Sequence, residues 1–222
     1  MLLLSVAYFA PIQYYFCLAR HGHVVVERCE NYGKQSYRNR CTIYTANGLL
    51  DLVVPVAKSD KPKVPIAEVE ISYDTLWQKQ HFKAIESAYR RSPFYEYYID
   101  ELTAFFNCRH RYLFEFNMQI MRAVCSLLTI PFSVAESREY MTPCEGIVDL
   151  RNRIHPKAPA DAGFVSPHYT QVFADRWGFK TNLSILDLLF NTGPEAKNLL
   201  NRCSFTQLLS TTHAPSDRRR QA

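Results

Sequence analysis

Asn47-Gly48 stands between two runs of strand-forming residues, RCTIYTA (residues 40–46) and LLDLVVPV (residues 49–56). Asn-Gly between two such runs is the strongest short-range signal for a β-hairpin, because both residues tolerate a positive φ. This hairpin commits the first third of the chain to β structure. Residues 2–9 read as a buried first strand and HVVVERC (23–29) as another, rich in β-branched residues. A short strand is expected over residues 69–72, after the Lys/Pro-rich loop KSDKPKVP.

Helical spacing takes over after residue 73. Asp74 reads as an N-cap. Behind it Trp77, His81, Ala84, Ile85, Ala88 and Tyr89 share one face. Ser92-Pro93 separates that helix from a second over about 94–106. A third, about 112–128, carries Leu113, Ile120, Met121, Val124 and Leu128 on one stripe. Residues 133–167 are irregular and rich in Pro, Gly and charge, a length that points to function or mobility. Ser184 then caps a helix over 185–190, and Thr192 with Glu195 forms a capping box for another over about 194–202. The expected architecture is α+β: an N-terminal mixed or antiparallel sheet with hairpins, then a mainly helical C-terminal half. The strands come bunched, which argues against a doubly wound fold. The expected organisation is one domain over 1–213 (β-rich 1–73, helical 74–203) and a basic tail at 214–222.

A hydrophobic fraction of 47% excludes a disordered chain. The net charge of +5 comes in part from Arg218, Arg219 and Arg220. The body is therefore too mildly basic for a dedicated nucleic-acid binder, although tRNA binding stays open as a lesser alternative. The seven cysteines are scattered without a CxxC pair. That pattern fits a reducing compartment, hence the cytoplasm, and no zinc site is expected. His21 and His23 are too few for a metal. The apolar N-terminus lacks the charged start of a signal peptide, and no run reaches membrane-spanning length.

The candidate chemistry begins at ENYGKQSYRNRC (30–41), which gathers Lys34, Arg38 and Arg40 just before a strand. In an extended segment these cations share one face, opposite Cys41 and Ile43. They form either a solvated outer face or a clamp for a phosphate or carboxylate. The clamp predicts that Arg38→Ala weakens anion binding with little loss of melting temperature. His81, on an apolar stripe, is either a core histidine or a general base. Asn117 interrupts the stripe of the third helix. Asp187 among four apolar neighbours must be capped, paired or at a polar edge. Residues 191–193 have the form of a small anion nest. No P-loop, GxGxxG, GxSxG or HExxH is present, so no cofactor is named.

Several blocks resemble, in order, the WbqC-like family: YFAPIQYYFCL, ENYGKQSYRNRC, the hairpin ending in VPV, W…H on the first helix, AYRRSPFY and NLSILDLLFNTGPEA. The resemblance runs over about residues 6–200. The Gln-Pro pair that often opens the family's first block is absent here, where the chain reads Val6-Ala7-Tyr8-Phe9-Ala10-Pro11. The resemblance implies a role in making bacterial surface polysaccharides of the O-antigen type, as a transferase attaching an amino acid such as glycine to a sugar. It carries Lys34, Asn39, Arg40, Trp77, His81, Tyr89, Asp187, Asn191 and Gly193 as motif positions. Arg38 enters on its charge and Asn117 on its place in the helix. On this reading His81 and Asp187 are the catalytic candidates. The others bind an anionic substrate, either a nucleotide sugar or an activated amino-acid donor. A non-catalytic binder of an anionic glycan precursor would use the same residues.

Overall fold

A computed structural model describes residues 1–158 and 163–206. The proposed tail at 214–222 lies outside them. Strand β1 (Leu2–Ser5) leads into helix α1 (Ile12–Arg20) and strand β2 (Val24–Glu27), which returns parallel to β1. The hairpin of β3 (Arg40–Thr45) and β4 (Gly48–Val53) follows. Then come α2 (Trp77–Tyr89), α3 (Tyr95–Asn107) and α4 (Leu113–Leu127). Strands β5 (Val134–Glu136) and β6 (Val148–Asp149) rejoin the first sheet, whose order is β5-β2-β1-β6 with every pairing parallel. A short pair, β7 (Phe164–Val165) with β8 (Ser204–Phe205), brackets α5 (Ala174–Trp177), α6 (Ile185–Thr192) and α7 (Ala196–Arg202). Parallel and antiparallel sheets with a helix-rich C-terminal half make an α+β architecture.

The hairpin forms, but its turn is Ala46-Asn47 rather than Asn47-Gly48: Thr45 stands opposite Gly48, and only Gly48 takes a positive φ, at 98°. Asn47 instead donates its amide to Thr45 Oγ1. The three central helices fall where their apolar stripes place them. Leu2, Leu3 and Leu4 are all buried, because a parallel strand is covered on both faces.

Four local expectations give way. The first strand ends at Ser5 rather than residue 9, and the apolar run after Pro11 is α1. Pro11 sits at the N-cap, where its missing N–H costs nothing, and Gln13 is buried against Asn182. Residues 69–72 make isolated bridges rather than a strand. Asp74 does not cap α2: its carboxylate accepts from Ser72 Oγ, and α2 starts after Leu76 without a side-chain cap. Thr192 forms no capping box, since its hydroxyl donates back to the Leu188 carbonyl. Ser184 does cap α6, accepting from the Leu186 amide at 3.4 Å.

The largest revision concerns residues 133–167. This stretch supplies both outer strands of the parallel sheet. Strands of three and two residues are too short to show a period. They are fixed by partners far away in sequence, such as the Leu150 amide donating to the Leu3 carbonyl.

Candidate functional site

Strand β1 has β2 on one side and β6 on the other, reached by separate connections. In open parallel sheets a crevice opens at the carboxyl ends of the strands where the connections diverge. Each strand end here delivers a polar side chain. Glu27, at the end of β2, is fully buried and accepts from Arg151 Nη1 at 3.0 Å, Ser137 Oγ at 2.5 Å, and the amides of Cys29 and Met141. Arg151 spends Nε and Nη2 on Asp149. Burial pushes the Asp149 carboxyl up, but the hydrogen bonds and charge of Arg151 outweigh it and leave the pKa below its ordinary value.

Arg38 lies next to this cluster, 5% exposed, and not on an outer sheet face as the alternation argument expected. The chain turns between Gly33 and Asn39, with Gln35 at φ 56°, and β3 begins only at Arg40. The period-two argument therefore fails for Lys34, Ser36 and Arg38. It holds for Arg40 and Thr42, which lie opposite Cys41 and Ile43. Arg38 makes a two-pronged pair with Glu30, Nε to Oε1 at 2.9 Å and Nη2 to Oε2 at 2.5 Å, and Nη2 also reaches Ser5 Oγ at 2.7 Å. Arg40 pairs across the hairpin with Asp51 at 3.2 Å. Lys34 is exposed and lines a separate groove with Tyr32 and Lys58. The three cations do not converge, and two of them meet carboxylates.

Two side-chain amides fix the chain around Arg38. Asn117 Nδ2 donates to the Arg38 carbonyl at 2.7 Å, and Asn39 Nδ2 donates to the Val54 carbonyl at 2.9 Å. Asn117 is fully buried, so it positions the loop instead of touching a substrate.

His81 is a core histidine. Its Nδ1 shares a 2.9 Å hydrogen bond with Tyr8 Oη, and Trp77 packs against its ring at 5.1 Å. Burial lowers its pKa to about 4, opposed by the nearby Val53 backbone. It is 5% exposed, with Nδ1 taken up by Tyr8. Trp77 is buried against Tyr73 and Phe116, so it offers no face to a sugar.

Asp187 is 1% exposed in the first turn of α6. Its Oδ2 accepts from Tyr169 Oη at 2.6 Å and Gln171 Nε2 at 2.8 Å, while Oδ1 has no hydrogen-bond partner among the described residues. Burial raises its pKa to about 6, against the hydrogen bonds from Tyr169 and Gln171 and the nearby Tyr89 hydroxyl. Tyr89 accepts the Tyr44 amide, and Asn191 Nδ2 donates to the Asp187 carbonyl. The supposed nest is closed, since the Gly193 amide donates to the Leu189 carbonyl. A side chain at Gly193, φ 53°, would collide with the Phe94 ring.

One hollow, of about 300 Å³, opens beside Arg38 and is lined also by Glu30, Ser36, Tyr140, Asn152 and His155. Nη1 of Arg38 makes no hydrogen bond among the described residues and lies beside Gly33, which also lines the hollow. Tyr140 stands at the rim with the Arg151 guanidinium 4.9 Å from its ring. His155 Nδ1 accepts the Lys157 amide at 3.1 Å, which leaves Nε2. The start of α1, where a phosphate sits in dinucleotide-binding folds, is filled: the amides of Ile12 and Gln13 donate to the Leu183 carbonyl and Asn182 Oδ1. Sequence reasoning missed Ser5, Glu27, Glu30, Tyr140, Arg151 and His155. Glu27 had a signal, an acid closing the run Val24-Val25-Val26. The last three stand in the irregular stretch, where nothing local marks them.

The model of the WbqC-like protein family matches residues 7–158. The chain belongs to the WbqC-like family. An uncharacterised protein of Mycobacterium tuberculosis is 29% identical over 198 residues, covering 78% of this chain and 84% of the relative. No solved structure matches. The WbqC-like span holds Glu27, Glu30, Arg38, Asn117, Arg151 and His155, the whole carboxyl-edge cluster apart from Ser5. Asp187, Asn191 and Gly193 lie beyond it. No described helix is long and apolar enough to cross a membrane.

Proposed function

We propose that this WbqC-like protein binds a phosphate-bearing glycan precursor at the carboxyl edge of its parallel sheet and serves in building a bacterial surface polysaccharide. The observation that carries the reading is Arg38. It is buried at the point where the sheet's connections diverge, fixed by Glu30 and Ser5, with one guanidinium nitrogen left for a ligand. Such a fixed fork is suited to an oxyanion.

The finer form of the proposal is a transferase that attaches an amino acid such as glycine to a sugar. The ester or anhydride bond of an activated glycine breaks, an amide or ester to the sugar forms, and the acceptor's proton leaves. Arg38 and the positive surroundings of the hollow would steady the anionic leaving group. Incubation with glycyl-adenylate or glycyl-tRNA and a panel of nucleotide-linked amino sugars, read by mass spectrometry, tests it. A glycyl-sugar product above the rate without protein supports transfer, and no product with any pair removes it.

A second reading is a non-catalytic binder of the same precursor. It is favoured by one observation: His81 and Asp187 are sealed in the core, and Glu30 is tied to Arg38, so neither catalytic candidate of the sequence lines the hollow. Saturable precursor binding without turnover would favour it.

A further inference from the structure

We propose that the hollow beside Arg38 takes one phosphate monoester of monosaccharide size, gripped by Arg38 Nη1 and His155 Nε2, and that His155 takes up a proton as the dianion enters. This rests on the reading above and narrows the ligand.

Size comes first. Pockets for small ligands span roughly 300–1,000 Å³, and this one, at about 300 Å³, stands at the lower end. It has room for a phosphate and one ring. A whole nucleotide sugar would have to leave its nucleotide outside. Tyr140, 58% exposed at the rim and backed by Arg151, offers a flat face for the ring.

Charge comes second. Among the described residues, the groups around His155 are Arg38 and Arg40 from the loop and β3, Lys157 from its own turn, and Glu30 and Tyr140 across the hollow. Glu30 pairs with Arg38 and Asp51 with Arg40, and Thr42 adds a hydrogen bond to Asp51. The net effect of charge on the imidazole is positive, set by Arg38, Lys157 and Arg40. Burial first, then Arg38, Lys157 and Arg40, hold its pKa below the ordinary 6.5, so it is neutral at pH 7 with its proton on Nε2. That N–H is a ready donor to a phosphate oxygen. An arriving dianion cancels the field that kept the ring neutral, so the ring takes a proton from solvent on Nδ1, giving up the bond from the Lys157 amide, and the grip of Nε2–H tightens.

The test is calorimetry on the full chain with sulfate, a dianion that does not titrate, and with a hexose 1-phosphate, comparing wild type with His155→Asn. Asparagine Oδ1 can keep the bond from the Lys157 amide that Nδ1 accepts, but it has nothing in place of Nε2. Between pH about 6 and 8 the wild-type affinity for sulfate is expected to fall, by up to roughly tenfold per pH unit. Proton uptake should show as a dependence of the heat on buffer ionisation enthalpy. The variant is expected to melt like wild type, bind about tenfold more weakly at the lower pH, and lose both the slope and the uptake. A nucleotide sugar should bind no tighter than the sugar phosphate. The proposal is overturned by no saturable binding, by sulfate binding without sugar-phosphate binding, or by a variant with wild-type affinity and slope. Binding with proton uptake but no glycyl transfer would remove the transferase and leave this site standing. Transfer that is unaffected in His155→Asn would do the reverse.

Discussion

Two buried polar clusters, one at the carboxyl edge of the parallel sheet and one on α6, solve the same problem in opposite ways. At the sheet edge Glu27, Glu30 and Asp149 each meet a guanidinium, Arg38 for Glu30 and a shared Arg151 for the other two, so each carboxylate has a counter-charge in place. On α6, Asp187 has neutral donors alone, Tyr169 and Gln171, and its pKa rises to about 6. Burial alone does not make a carboxylate functional. The paired cluster borders a hollow and keeps one arginine nitrogen spare, whereas the unpaired acid is sealed and serves to pin residues 169–171 against α6.

The sharpest way to break this contrast is to remove one partner of each cluster. Arg38→Ala leaves Glu30 buried without a counter-charge, which is expected to cost about 3–5 kcal/mol in urea unfolding. This replaces the expectation, drawn from an anion clamp on the outer face of a strand, that the change would spare stability. A loss under about 1 kcal/mol would mean that the Glu30–Arg38 pair is not buried in solution.

The next effect is a dependence on pH. Asp187, raised from 3.8 to about 6, binds a proton more tightly when folded, so its contribution to stability falls as pH rises from about 4 to 6. His81, lowered from 6.5 to about 4, does the opposite, and its contribution is lost as pH falls through the same window. The two displacements are similar in size, on the order of 3 kcal/mol each at most. In the wild type they should nearly cancel. Asp187→Asn should uncover a loss of stability on acidification, and His81→Gln a gain, relative to pH 7. Denaturant midpoints that move in parallel for both variants would refute the opposition.

Smaller again is Asn117→Ala, expected to cost about 1–3 kcal/mol by leaving the Arg38 carbonyl unpaired and to weaken anion binding through the misplaced loop. A stability loss with unchanged anion affinity would confine Asn117 to packing. The smallest is Arg40→Ala. Its half-exposed pair with Asp51 is worth less than about 1 kcal/mol, so the melting temperature should hardly move, in contrast to Arg38 two residues away.

Much of this contrast was invisible in the sequence, for a particular reason. Lys34, Arg38 and Arg40 look alike in one stretch, yet they end exposed, buried and half-exposed. Arg40 obeyed the strand period because it is in a strand. Arg38 escaped it because Gln35 turns the chain. Asp187 could be read as a carboxylate in need of an explanation, but its donors stand in a segment without a pattern.

The sequence by itself determined the β3–β4 hairpin, the three central helices, the cap at Ser184 and the WbqC-like resemblance. Each of these is written in neighbouring residues, through turn chemistry, a period of two or 3.6, or the order of short motifs. Tertiary structure alone decided the parallel sheet, the burial of Arg38 and the hollow. Glu27 meets Arg151 across 124 residues and Asn117 meets Arg38 across 79. No local period records such distances, and which charges cancel is settled only when the strands align.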